Sequence, residues 1–146
     1  MKITDGNHSI EFGVIGYEFD NAARPKGEEL DYDANWLTIK VSYTEMDYTA
    51  GFQDSCLLTW ELAEMAEKLQ KLAEGEETEW CSDFLEPYLS FETETVPGGF
   101  ALQIRFVFGN ENGEWREIIA EQVLDREQLL NICTELNGYL QHFPQR

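Results

Sequence analysis

Residues 36–43 read Trp36-Leu37-Thr38-Ile39-Lys40-Val41-Ser42-Tyr43 and form the clearest strand pattern in the sequence. Apolar side chains occupy every second position, namely Leu37, Ile39, Val41 and Tyr43. Polar side chains occupy most of the positions between them. A period of two residues indicates a strand with one face in a core and the other in contact with water. This strand therefore predicts a sheet that is covered on one face.

Further strands are predicted on both sides of this segment. We expect a strand or hairpin over residues 8–19 and strands over about 48–58, 87–95, 100–108 and 115–124. The pairs Pro97-Gly98 and Asn112-Gly113 lie between the last three strands, and such pairs favour tight turns. Residues 20–33 are rich in charged side chains and contain Pro and Gly, which predicts a loop.

Two later segments have the periodicity of amphipathic helices. The first runs from about residue 60 to residue 73, with Thr59 as its predicted N-cap and Gly75 as its C-terminal cap. The second follows Asp125, which we expect to cap it in a capping box with Gln128. The apolar face of the first helix is Leu62, Met65, Ala66, Leu69 and Leu72. That of the second is Leu129, Ile132, Cys133, Leu136 and Leu140.

These elements predict an α+β fold, in which two amphipathic helices pack on an antiparallel sheet of about six strands. We expect residues 1–146 to form a single domain, because the chain of 146 residues is close to the usual domain size. The order strand, strand, strand, helix occurs twice, and residues 36–41 resemble residues 101–106. An internal duplication explains this repeat, and so does the general similarity of β-β-α patterns.

Composition and charge exclude several classes of function. The chain has 10 Lys and Arg against 29 Asp and Glu, which gives a net charge of −19. Such a charge repels phosphate backbones and anionic bilayers, so we expect no nucleic acid and no membrane among the partners. The sequence contains no signal-peptide pattern and no run of ~20 apolar residues, which predicts a cytoplasmic protein.

Patterns for catalysis and metal binding are also missing from the sequence. The three cysteines are widely spaced along the chain: Cys56, Cys81 and Cys133. The two histidines, His8 and His142, lie near opposite ends. We therefore expect no disulfide framework, no metal and no cofactor. Carboxylates that share a strand face, such as Glu92 and Glu94, are more typical of a solvated surface than of acid–base catalysis. The sequence does not predict an enzyme.

The strongest local signal is an acidic run. The chain has no basic residue between Lys71 and Arg105, and residues 74–94 include eight acidic ones. Aromatic residues interrupt the run and could anchor a partner, while the carboxylates steer its approach. The predicted partner-binding residues are Glu76, Glu77, Glu79, Trp80, Asp83, Glu86 and Tyr88. A solvated face without a partner is the alternative, and the acidic residues 28–33 form a rival surface.

Three segments of the chain resemble a known family. They are Tyr32-Asp33-Ala34-Asn35-Trp36-Leu37, Cys56-Leu57-Leu58-Thr59-Trp60-Glu61-Leu62 and Phe84-Leu85-Glu86-Pro87. The likeness extends from about residue 8 to about residue 140 and is to the WapI-like immunity proteins. Within the first segment, we expect Asp33 and Asn35 to shape the entry into the strand.

The resemblance implies a function that composition alone does not. Such proteins are cytosolic antidotes to secreted bacterial toxins, and each binds and neutralises its own toxin domain without enzymatic activity. Many of these toxins are nucleases with basic surfaces, so the resemblance implies a basic protein as the partner of this acidic chain. We expect the free protein to be a monomer or a weak dimer.

Two other classes of function remain open at the level of sequence. A small-molecule or peptide-binding module would need a pocket between the sheet and the helices. A hydrolase would use carboxylates or Cys81, and the scarcity of histidine counts against this possibility.

Overall fold

The computed structural model describes residues 1–5, 8–19, 31–110 and 112–146. Their strands are β1 Lys2–Asp5, β2 His8–Tyr17, β3 Trp36–Glu45, β4 Tyr48–Leu58, β5 Glu79–Cys81, β6 Leu89–Val96, β7 Gly99–Gly109 and β8 Trp115–Leu124. Their helices are α1 Tyr32–Asn35, α2 Thr59–Glu74 and α3 Arg126–His142. Most of the loop predicted over residues 20–33 lies outside the described residues.

The strands form two antiparallel sheets of four strands each. The first has the order β1-β2-β3-β4 and the second the order β5-β6-β7-β8. The predicted α+β class is confirmed, whereas the prediction of one sheet of about six strands is wrong. Alternation shows that a strand has a buried face, but it does not show which strand lies beside it. In addition, β1 and β5 have only 4 and 3 residues, which is too short for a period to be recognised.

Each sheet continues directly into a helix. The last strand of the first sheet, β4, leads into α2, and the last strand of the second sheet, β8, leads into α3. Each half of the chain is thus a four-stranded meander followed by a helix, and α1 is an insertion between β2 and β3. At the start of α3, the Arg126 side chain donates to the Ala73 carbonyl at 2.7 Å, which ties this helix to the end of α2.

One hydrophobic core joins the two sheets and the two long helices. The rings of Phe12 in β2 and Phe91 in β6 meet edge to face, with centroids 5.8 Å apart. A second aromatic contact between the sheets joins Phe52 in β4 to Phe106 in β7, at 5.9 Å. The alternating residues of β3 are buried as predicted, and so are the central residues of both helix faces: Leu37, Ile39, Val41, Tyr43, Leu62, Leu69, Leu129 and Leu136.

The helix ends agree with prediction except at the start of α2. Asp125 caps α3 by accepting from the Gln128 N–H at 2.8 Å, and the Gln128 side chain accepts in return from the Asp125 N–H. Gly75 ends α2 with a φ of 78°, a conformation that favours glycine. The predicted N-cap Thr59 is instead the first residue of α2. Its hydroxyl donates at 2.8 Å to the side-chain oxygen of Asn35, which lies buried beside it.

Asn35 is the centre of a buried polar cluster at the entry to β3. Its side-chain oxygen accepts from the Thr59 hydroxyl and from the Arg146 N–H at 2.9 Å. Its side-chain nitrogen donates to the carbonyls of Asp31 and Arg146, at 2.8 and 2.9 Å. The side chain that caps α1 belongs to Asp31, whereas Asp33, which was expected to shape the entry into β3 together with Asn35, is exposed.

The core assignment predicts the cost of two truncations. Leu69→Ala in α2 and Ile104→Ala in β7 should each lower the free energy of unfolding by ~2–5 kcal/mol, because both side chains are almost fully buried and truncation leaves a cavity. Urea unfolding followed by circular dichroism measures this loss. Ile119→Ala is the matched control, because Ile119 is 56% exposed. A loss below about 0.5 kcal/mol at either core site would contradict the assignment.

The polar cluster predicts coupling between Asn35 and Thr59. Asn35→Ala should lower the free energy of unfolding by ~1–3 kcal/mol, because it leaves the buried Thr59 hydroxyl without its acceptor. Adding Thr59→Val to Asn35→Ala should cost less than Thr59→Val alone, since the bond is already lost. Asp33→Ala is the control and should change little. Strictly additive effects in the double-mutant cycle would show that the two side chains do not interact.

Candidate functional site

The residues predicted to bind a partner lie in the connection from α2 to β6, which includes β5. Glu76, Glu79 and Asp83 are exposed, and Glu86 and Tyr88 are half-buried. These residues can therefore meet a partner. The remaining two, Glu77 and Trp80, have other roles in the structure.

Trp80 belongs to the core rather than to the surface. Its side chain is 9% exposed, and its ring centroid lies 6.5 Å from that of Phe84. The alternation of β5 explains this placement, because it turns Trp80 inward and its neighbours Glu79 and Cys81 outward. Trp80 therefore fastens β5 to the core, and little of its ring is exposed to a partner.

Glu77 is paired with a lysine of α2. Its carboxylate accepts two hydrogen bonds from the Lys68 ammonium, at 2.8 and 3.1 Å. A second lysine, Lys71, lies 4.0 Å from the same carboxylate. The charge of Glu77 is thus largely compensated within the chain, and the pair holds the acidic connection against α2.

The buried carboxylate of Glu61 positions residues 82–88. Sequence analysis did not single out this residue. Glu61, in the first turn of α2, accepts from the N–H of Leu58 at 2.8 Å and from the N–H of Leu85 at 2.6 Å. Burial raises the pKa of Glu61, while these two N–H groups oppose the shift. The sequence signal for this role is that Glu61 stands three residues after Leu58, the N-cap residue of α2. A carboxylate at this position commonly reaches back to the backbone.

The outer face of the second sheet brings distant parts of the sequence together. The strand register aligns Cys81, Glu92, Gln103 and Glu121 in one row across β5, β6, β7 and β8. The adjacent row consists of Glu79, Glu94, Ala101 and Val123. A concavity of about 420 Å³ lies over these two rows. We call the residues of this solvent-facing side of β5–β8 the outer sheet face.

A row of exposed apolar residues runs along β8 on the same face. Trp115, Ile119 and Val123 are 67%, 56% and 55% exposed, and they alternate with glutamates. The Trp115 ring stacks on that of Tyr88, with centroids 6.1 Å apart and planes 16° from parallel. Sequence reasoning missed this row. The signal was present, because residues 115–124 carry apolar residues on both alternating faces although only one of them is buried.

The charge of the outer sheet face is mostly uncompensated. Glu117 pairs with Arg105 on this face. Within residues 1–5, 8–19, 31–110 and 112–146, the other carboxylates of the face make no ion pair: Glu79, Glu92, Glu94 and Glu121. The face therefore combines exposed apolar side chains with several free negative charges.

The outer face of the first sheet is different. Lys2 pairs with Glu11 at 2.6 Å, and Lys40 is exposed on the neighbouring strand. The hydroxyls of Thr38 and Ser55 bond to each other at 3.0 Å. This face is polar and of mixed charge, which is typical of a solvated surface.

The thiols do not have the character of catalytic nucleophiles. Burial raises the pKa of Cys56 to about 12 and that of Cys133 to about 11. Cys81 is exposed, but partial burial and the carboxylates of Glu92 and Asp83 raise its pKa as well. A thiol needs a lowered pKa to react as a thiolate near neutral pH. The environments of all three thiols raise the pKa instead.

The described residues hold neither a metal-ligand cluster nor a membrane-spanning helix. No group of three or more His, Cys, Asp or Glu side chains is arranged there to hold a metal ion. None of the helices in these ranges has the length and apolar character needed to cross a bilayer. The region between the sheets and helices, where a small-molecule pocket was the alternative, contains fully buried side chains such as Phe106, Leu129 and Leu136. The 420 Å³ concavity lies on the outer sheet face, and an open concavity of about 390 Å³ lies between the outer face of the first sheet and α3, where Lys40, Glu135 and Tyr139 are among its lining residues.

Comparison with known proteins identifies a family to which the chain is similar. No curated protein and no solved structure matches the chain. Residues 1–144 match the family described as the immunity protein WapI-like family. The match includes all three segments that suggested the resemblance and extends over nearly the full length of the sequence. The chain therefore belongs to the WapI-like immunity protein family.

Proposed function

We propose that this chain is a cytoplasmic immunity protein that binds a cognate toxin domain and neutralises it by binding alone. The observation that carries the proposal is the family match over residues 1–144. The environments of the three thiols support a role without catalysis, since each pKa is raised. We further propose that the free protein is a monomer or a weak dimer.

The partner in this proposal is a basic protein, such as a nuclease toxin. A nuclease needs a cationic surface to hold its phosphate-rich substrate. A chain with a net charge of −19 attracts such a surface over a long range and raises the rate of encounter. Bound carboxylates would then occupy the positions of substrate phosphates and keep the substrate out.

The acidic connection after α2 supports this mode of binding. Its exposed or half-buried carboxylates are Glu76, Glu79, Asp83 and Glu86. We retain these residues and Tyr88 as proposed contacts. Glu77, whose charge Lys68 compensates, is expected to contribute less.

The proposal predicts protection and a salt-sensitive complex. Cells that produce the toxin domain encoded beside this chain's gene should survive only when this chain is also produced. The two purified proteins should form a complex whose association rate falls about tenfold or more between about 0.05 M and about 0.5 M salt, because screening weakens long-range attraction. Surface plasmon resonance measures these rates. Failure of the purified proteins to form a complex would contradict the proposal.

A further inference from the structure

We infer that the outer sheet face is the surface that receives the toxin, and that the toxin meets it with lysine and arginine side chains opposite the glutamates and with apolar side chains opposite β8. This inference rests on the proposed function and gives it a location. It assigns the central contact to β6, β7 and β8, with the acidic connection after α2 at the margin. The two regions are continuous, because Tyr88 stacks on Trp115 and Glu79 belongs to both.

The apolar row supplies the first argument. Single exposed apolar residues are ordinary on protein surfaces, but Trp115, Ile119 and Val123 lie on one face of one strand. Glu117 and Glu121 stand between them on β8, which is the edge strand of the second sheet. Exposed aromatic and aliphatic side chains bordered by polar residues are typical of a binding site, and an aromatic one can anchor a partner.

Charge identifies the occupant. Glu79, Glu92 and Glu94 lie on neighbouring strands and have no cation among the described residues, and Glu121 completes the group on β8. A second copy of this chain would place four more carboxylates opposite these and would be repelled. A partner rich in lysine and arginine would instead pair with them, and the 420 Å³ concavity over the glutamates can admit such side chains.

The dimensions and rigidity of the face also suit a folded partner. The strands β6, β7 and β8 have 8, 11 and 10 residues and β5 has 3, so the face extends roughly 34 Å along its longest strands and reaches a width of about 14 Å only beside β5. Its backbone area of roughly 340 Å² is a little under half of the ~800 Å² that each partner contributes to a standard interface, before side-chain relief is counted. Strand-borne side chains are already ordered, which lowers the entropic cost of binding.

The experiment compares variants in which acidic side chains are replaced by their neutral amides, either on the outer sheet face or in the acidic segment of residues 28–33. The face variant Glu92→Gln/Glu94→Gln/Glu121→Gln removes three negative charges from the outer sheet face. The matched control, Glu28→Gln/Glu29→Gln/Asp33→Asn, removes three from the rival acidic segment. Binding to the toxin domain encoded beside the gene is measured by surface plasmon resonance at low and high salt. We expect the face variant to associate several-fold more slowly at low salt and to lose part of its salt dependence, since fewer charges steer the encounter.

A second pair of variants tests the apolar row. Trp115→Ala/Ile119→Ala should raise the dissociation rate about thirtyfold or more, as truncation of interface anchors does. Ile15→Ala/Met46→Ala truncates two exposed apolar residues away from the outer sheet face, one in β2 and one in the turn between β3 and β4, and should leave the rate nearly unchanged. Circular dichroism and the urea midpoint establish that each variant is folded.

The outcomes separate this inference from the proposed function. If the wild-type chain does not bind the toxin domain, the proposed function fails. If the wild type binds, and the face variant and Trp115→Ala/Ile119→Ala both bind with wild-type rates, the inference fails and the proposed function stands. Loss of binding in the rival-segment control alone would also overturn the inference. If a face variant does not fold, carbodiimide labelling of wild-type carboxylates decides, since Glu92 and Glu121 must be protected in the complex and Glu64 must not.

Discussion

The structure depends on mutual burial of the two meanders. Each four-stranded sheet has one apolar face, and the two faces contribute to a single core. The aromatic contacts Phe12–Phe91 and Phe52–Phe106 bring these faces together, and α2 and α3 complete the enclosure. Because both inner faces are used in this way, the two outer faces of the sheets are left to face solvent or a partner.

The two outer faces differ in a way that stability does not require. The first sheet balances its charges, as in the pair of Lys2 with Glu11. The second exposes Trp115 and leaves glutamates such as Glu92 and Glu121 without cations among the described residues. Free like charges repel one another and destabilise a compact chain, and an exposed tryptophan loses the benefit of burial. A basic partner with apolar side chains opposite β8 would reverse both costs, which gives the asymmetry a functional explanation.

The sequence predicted the local elements well and their assembly less well. Alternation located β3 and helical spacing located α2 and α3, because both patterns report which side of an element is buried. The division into two sheets was not predictable, since it depends on pairing between strands. Contacts between residues far apart in the sequence could not be predicted for the same reason. An example is the pair of hydrogen bonds between Asn35 and Arg146, which are 111 positions apart. At the candidate site, composition identified the acidic character, but the register that aligns Glu92 with Glu121 was needed to define a face.

The most direct measurement uses a native probe of the outer sheet face. Cys81 is exposed in the row that contains Glu92 and Glu121, whereas Cys56 and Cys133 are buried. Iodoacetamide at mildly alkaline pH should therefore modify Cys81 selectively in the free protein, and mass spectrometry follows its rate. We predict that the cognate toxin domain slows this reaction several-fold at saturating concentration. An unchanged rate at Cys81 in a fully formed complex would contradict the assignment of the binding surface to this face.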